Sequence, residues 1–415
     1  MWATRRAVAL VVLSGLPACA GDDDAGGGVV ITTVSEHGRS PVSGVQVQVD
    51  DGEWRTTDEE GRVTFDATPQ SYDLRVFQRI DTGSSVAQDV WVLVNQTNLV
   101  MTIPVNGSTQ PTHEGSITGS VSGTSGDDSH VAVFGGRFPD TGAVGTVAED
   151  GTFQLARFRW EGSSSQRFNL HALESNGGDL PTRYTGFGTA SITLDDGGEG
   201  ATATAEINLA PVDETDVTGT VAVADGIAPS LRPSMTLTLS DGARLTLGDE
   251  AALTPGAFEF AIPDLDGATV RLGFEAGDVI TGELVGPRSD YTELIALPAK
   301  DLTVELPAAV VPVEPAEAAT IDHTTRFRWN ALPGGDHYGL SLTCAWDGGN
   351  VDYRIVETTD TEVFLPDIPG LVIGPYARCA WSIGWYDRSI TPIESLTLPS
   401  SLRTSHSGQR AATYQ

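Results

Sequence analysis

The sequence predicts an all-β protein built from tandem antiparallel β-sandwich domains. Three observations carry that expectation. Glycine and proline are plentiful, at 47 and 23 of 415 residues, and Val and Thr recur on alternate positions, as in short strands joined by tight turns. A helical period of about 3.6 residues persists for no more than a few residues beyond the N-terminus. One strand-rich unit recurs three times along the chain. The length exceeds one ordinary core and suggests roughly three or four domains.

The N-terminal run MWATRRAVALVVLSGLPACAGDDDAGGG comes first. Arg5 and Arg6 form a positive region, and Ala7 to Gly15 an apolar one. It is too short to span a bilayer, which needs about 20 residues. Leu16-Pro17-Ala18-Cys19 resembles the lipobox of bacterial lipoproteins, with a proline less usual at its second position. The resemblance implies that residues 1–18 are a signal peptide and that Cys19 is lipidated and becomes the new N-terminus. Two or more acyl chains, at about 0.8 kcal/mol per buried methylene, make a stable anchor. Residues 19–28, with Asp22-Asp23-Asp24 and Gly26-Gly27-Gly28, read as a flexible tether. The partner expected here is the membrane, through the lipid. Ala20 after the cysteine points to the outer membrane, with either face open. The alternative is an ordinary signal peptide with an incidental cysteine.

The three repeats follow, at residues 29–106, 113–212 and 213–310. Each holds a short strand, an alternating strand, an acidic or glycine-containing turn, a strand of the Gly-x-Phe or Gly-x-Val form, and a last alternating strand. Val45, Val47 and Val49 share one face and Gln46, Gln48 and Asp50 the other, so one sheet face is buried and one wet. Asp51-Gly52, Asp150-Gly151 and Asp241-Gly242 place glycine where a hairpin needs positive φ. Pro41-Val42-Ser43-Gly44-Val45 and Thr57-Asp58-Glu59-Glu60-Gly61-Arg62-Val63 resemble carboxypeptidase-regulatory-like domains, which are transthyretin-like sandwiches. The resemblance implies stalks, spacers or binding modules. Repeated sandwiches on an anchor read as an arm of separate domains that share no core.

After the Pro- and Ala-rich VVPVEPAEAAT, residues 311–405 change character. TTRFRWNALPGGDHYGLSLTCAW and YARCAWSIGWYD resemble a fibronectin type III domain, with Trp329 as core tryptophan and Tyr338 opening the third strand. Cys379-Ala380-Trp381 stands where that family commonly has Tyr-x-Trp. In such a sandwich the strands of Cys344 and Cys379 are antiparallel neighbours, which implies a disulfide in an exported protein. The alternative is a pair of buried free thiols. Residues 406–415 read as a disordered tail.

Chemistry-bearing patterns are sparse. The nucleophile elbow G-x-S-x-G and the zinc motif H-E-x-x-H are absent, and no cofactor is expected. The seven histidines are scattered, and His171, alternating with apolar neighbours, is expected to face solvent. A net charge of −32 repels phosphates, which argues against nucleic acid. Turn carboxylates at Asp50, Asp51, Asp58, Glu59 and Glu60 are candidate calcium ligands, with ordinary turn chemistry as the plainer reading. Trp160, Trp346 and Trp385 are candidates for a carbohydrate platform, with the covering of open core ends as the plainer reading. The sequence thus predicts a non-catalytic envelope protein that presents sandwich modules to a protein or glycan partner. A carbohydrate-binding lipoprotein and an accessory subunit of an extracytoplasmic enzyme are the alternatives.

Overall fold

The computed structural model describes residues 28–35, 40–66, 70–81, 83–106, 112–125, 130–135, 143–161, 163–177, 180–196, 200–248, 253–280, 283–333, 337–358, 360–388 and 401–415. All regular structure among the described residues is strand, and the protein is all-β.

The first unit runs β1 (Val29–Ser35), β2 (Gln46–Val49), β3 (Arg55–Thr56), β4 (Arg62–Phe65), β5 (Tyr72–Asp81), β6 (Val86–Gln96) and β7 (Val100–Val105). The second runs β8 (Thr112–Ser122), β9 (His130–Gly135), β10 (Ala143–Thr146), β11 (Thr152–Glu161), β12 (Ser165–Ser175), β13 (Tyr184–Asp195), β14 (Ala201–Asn208) and a short β15 (Ala210–Pro211). The third runs β16 (Glu214–Val223), β17 (Leu231–Thr238), β18 (Arg244–Gly248), β19 (Gly256–Pro263), β20 (Thr269–Ile280), β21 (Glu283–Ile295) and β22 (Ala299–Leu306).

All three share one plan. The first strand of each unit lies centrally in a three-stranded sheet, giving β4-β1-β7, β11-β8-β14 and β19-β16-β22. Its pairing to the last of these strands is parallel and to the other antiparallel. The facing sheet in each unit is an antiparallel run: β3-β2-β5-β6, β10-β9-β12-β13 and β18-β17-β20-β21. Alternation builds the core, since Val45, Val47 and Val49 are all buried. Gln48 on the opposite face is buried as well. Its amide donates to the Gly52 carbonyl at 2.7 Å, and its Oε1 accepts from Arg75 at 2.9 Å.

Gly151 and Gly242 adopt φ of 81° and 86°, as their turns require. The first unit differs. There Asp50, at φ 50°, takes the left-handed position in place of Gly52. Its carboxylate accepts from the Asp73 N–H on β5 at 2.8 Å, which holds the turn against the neighbouring strand.

The fourth unit runs β23 (Pro312–Glu314), β24 (Ala319–Ile321), β25 (Arg326–Trp329), β26 (His337–Trp346), β27 (Gly349–Thr358), β28 (Glu362–Phe364), β29 (Arg378–Tyr386), β30 (Ser401–His406) and β31 (Arg410–Tyr414). Its small sheet is β23-β25-β28, and its large one continues from β27 through β26 and β29 to β30. Trp329 is buried against the Tyr338 ring, with centroids 5.6 Å apart. The expected disordered tail is instead structured. β31 pairs antiparallel with β29 and parallel with β24, and Ala412 is buried. A polar segment with few apolar residues forms a strand because β29 presents an unfilled edge to it.

The expectation of an arm of separate cores is also corrected. β27 pairs in parallel with β6 of the first unit, from Gly349 opposite Val86 to Val356 opposite Leu93. β30 pairs antiparallel with β21 of the third unit, from Arg288 opposite His406 to Glu293 opposite Ser401. One 14-stranded sheet therefore links the first, fourth and third units. Val90, Val92 and Phe77 of the first unit pack into the fourth unit's core, while Trp91 and Leu93 serve the first. Phe134, Leu173 and Tyr184 of the second unit join the core of the third. The reason lies in β6, where Val90-Trp91-Val92-Leu93 is apolar on both faces and so demands cover on both.

Candidate functional site

Cys19, the signal peptide and most of the tether lie outside the described residues. Cys344 and Cys379 stand directly opposite on β26 and β29 and form a disulfide.

Asp58 serves its own turn, while Asp50 and Asp51 reach the neighbouring strand β5. Asp58 Oδ1 accepts from the Glu60 and Arg62 N–H groups at 3.1 and 2.7 Å. Asp51 lies 3.4 Å from Arg75, and Asp50 holds Asp73. Among the described residues, no group of three or more His, Cys, Asp or Glu side chains is placed to hold a metal ion.

The candidate tryptophans do not form a platform. Trp160 is 2% exposed, its N–H donates to the Ser163 carbonyl at 2.8 Å, and its ring meets Phe168 edge-on. Trp385 is 7% exposed within the fourth unit's core. Trp346 is half-buried at the far end of β26 from Trp385 and covers Gly349 and Gly374. Trp160 and Trp385 are core residues because each strand places them inward, where large rings fill the sandwich.

The structure assembles two clusters that the sequence pattern does not reveal. The first is a cleft of about 420 Å³ between the second and third units. The Asp241 turn of the third unit meets the outer face of β12 and β13 there. His171 is 4% exposed, which overturns its expected solvent-facing position. Its ring stacks on Phe187 at 6.0 Å and 10°, and its Nε2 lies 3.2 Å from Asp241 Oδ2. Asp241 is thus the partner of Nε2, and Nδ1 has no hydrogen-bond partner among the described residues. Burial holds the imidazole below its ordinary range, with Asp241 pulling the other way. Asp241 accepts from Asn169 at 2.6 Å and from the Ala243 N–H at 3.0 Å. Burial works to raise its carboxyl, but these bonds and His171 leave it below the usual value.

The second cluster sits on the seam between the third and fourth units. Asp290 on β21 lies 3.5 Å from His406 Nε2 and 3.9 Å from Arg288, and accepts from the Thr404 hydroxyl at 3.1 Å. Its Oδ1 is buried without a hydrogen-bond partner among the described residues. Burial, with Glu275 beside it, pushes the Asp290 carboxyl up to about 6. Burial, with Arg288 adding to it, holds the His406 imidazole down to about 3.

The two groups act oppositely with pH. The share of stability from Asp290 is full below 3.8, the ordinary value, and is lost as pH rises through about 6. The share from His406 is full above 6.5 and is lost as pH falls towards about 3. Asp290→Asn is therefore expected to stabilise the protein at pH 7.5, on the order of 2 kcal/mol. The gain should shrink through about pH 4 and vanish by about pH 3, where the carboxyl is protonated in both states. Urea denaturation at both pH values checks this. A loss at pH 7.5 would mean that the contacts to Arg288 and His406 outweigh the buried charge.

No protein-family model matches the chain, and no curated protein matches it. Solved structures give distant likenesses. The Bacillus anthracis TIE protein is 13% identical with a TM-score of 0.17, over 67% of this chain and 50% of that one. A tetra-tandem repeat from the extending region of a large adhesion protein is 11% identical with a TM-score of 0.14, over 93% and 98%. The Streptococcal ancillary pilin is 8% identical with a TM-score of 0.15, over 67% and 98%. The chain thus spans about half the length of the Bacillus anthracis protein. Likenesses at this level carry no argument about activity or partners.

Proposed function

We propose that the chain is a non-catalytic, lipid-anchored protein of the cell envelope that presents its sandwiches for adhesion, scaffolding or partner binding. The observation that carries this reading is the sheet continuous across three units, with the second unit docked on the third. Backbone pairing and shared apolar cores replace flexible linkers, so surfaces on different units hold fixed mutual positions. The Cys344–Cys379 disulfide supports an oxidising compartment. The Leu16-Pro17-Ala18-Cys19 run supports the anchor, and the net charge of −32 supports solubility of the displayed surface.

Fractionation of cells expressing the full chain and a Cys19→Ala variant tests the reading. The parent is expected in the outer-membrane fraction and the variant in the soluble extracytoplasmic fraction. Unchanged membrane association of the variant would overturn the anchor.

A further inference from the structure

We propose that the cleft between the second and third units is a binding site for a neutral saccharide. It goes beyond display and holds whether or not the chain is lipidated.

The cleft's chemistry selects the ligand class. One wall, from β12 and β13, offers the Asn169 amide, the Ser191 hydroxyl and the half-buried Phe187 ring. The other, from turns of the third unit, offers Ser240, Asp241 and Asp266. Among the described residues that line it there is no Lys or Arg, so two carboxylates face the space and repel phosphate, sulfate and carboxylate ligands. Hydroxyls, an amide and carboxylates alternate donors with acceptors, as the hydroxyls of a sugar ring require. The Phe187 ring supplies an apolar surface for the C–H face of such a ring. Its other side rests on His171, which fixes its orientation.

The second observation is His171 itself. Its imidazole is 4% exposed in the cleft wall, paired with Asp241 through Nε2 and without a hydrogen-bond partner among the described residues on Nδ1. A ligand hydroxyl seated beside Asp241 would donate to its carboxylate. The Asn169–Asp241 and Ser191–Asn169 bonds, at 2.6 and 2.8 Å, hold the polar wall in place before a ligand arrives. A protonated amine would use the carboxylates but would leave the hydroxyls and the amide idle, so the saccharide is favoured.

The test uses the full-length protein in a detergent without a sugar headgroup. Saturation-transfer NMR and calorimetry are run with glucose, galactose, mannose, N-acetylglucosamine and their disaccharides, and with spermidine as the amine. At least one sugar is expected to bind saturably, with a dissociation constant of the order of 1 mM. The exposed changes Ser191→Ala and Asp266→Asn should each weaken it roughly tenfold, with the thermal midpoint unchanged. His171→Gln should weaken it too, and the two exposed variants decide the matter if that one fails to fold. Saturable binding of no sugar, binding indifferent to both exposed variants, or binding of spermidine alone would each overturn the proposal. None of these results touches the membrane anchor, which the Cys19→Ala fractionation tests separately.

Discussion

Replacing Cys344 and Cys379 together by serine is expected to lower the stability of the fourth unit by about 4 kcal/mol. The crosslink spans 35 residues, and closing a loop of that length in the unfolded chain accounts for about this much in the chain-entropy description. The cysteines sit on neighbouring central strands, packed among Tyr338, Leu340, Leu342 and Trp381, so serine there also buries hydroxyls in an apolar site. Because β26 and β29 carry the 14-stranded sheet between its two halves, the loss should spread to the seams on either side. Denaturant unfolding of parent and double variant, with and without reductant, measures it. Reductant should bring the parent close to the variant. Equal midpoints for all four samples would show that the crosslink contributes nothing.

The second large effect is expected at Trp91. Its ring is 1% exposed in the first unit's core, and the Arg354 guanidinium of the fourth unit lies 4.8 Å from its centroid. Trp91→Ala removes a large buried ring and is expected to cost about 3–5 kcal/mol. Arg354→Ala should cost about 1 kcal/mol through the lost cation–π contact, with a further loss from Asp89, which Arg354 approaches to 3.7 Å. The pair should be coupled, so the double variant costs less than the two single losses added together. Additive losses in a denaturation cycle would mean that the first and fourth units do not communicate through this contact.

Much of each sandwich is legible in the sequence, and the way the sandwiches join is not. Val45, Val47 and Val49 announce their buried face by alternation, and the Asp-Gly turns locate two of three hairpins. The cysteine pair is legible because two strand faces carry the same register information as the ladder. Periodicity within one strand says that a face is buried, but not which unit buries it. Val90-Trp91-Val92-Leu93 carries the signal, an apolar run with no wet face, yet its second cover is the fourth unit's core, whose residues lie more than 200 positions later. His171 misled for the same reason. Its polar side of β12 is covered by a turn of the next unit, which no local pattern encodes. The Asp290 and His406 pair is built from two units and exists only once β21 meets β30. β31 is not legible in the sequence because its stability comes from the edge of β29 and not from its own composition.

Backbone pairing across the seams joins the first, fourth and third sandwiches into one body. Amide hydrogen exchange of the full-length protein tests it most directly, through peptides covering residues 86–96 and 349–356 at one seam and 283–295 and 401–406 at the other. These amides are expected to be protected as strongly as those of β12 with β13 or β26 with β29 inside single units. Fast exchange at both seams, at the rate of an edge strand such as β18, beside slow exchange within the units would contradict it.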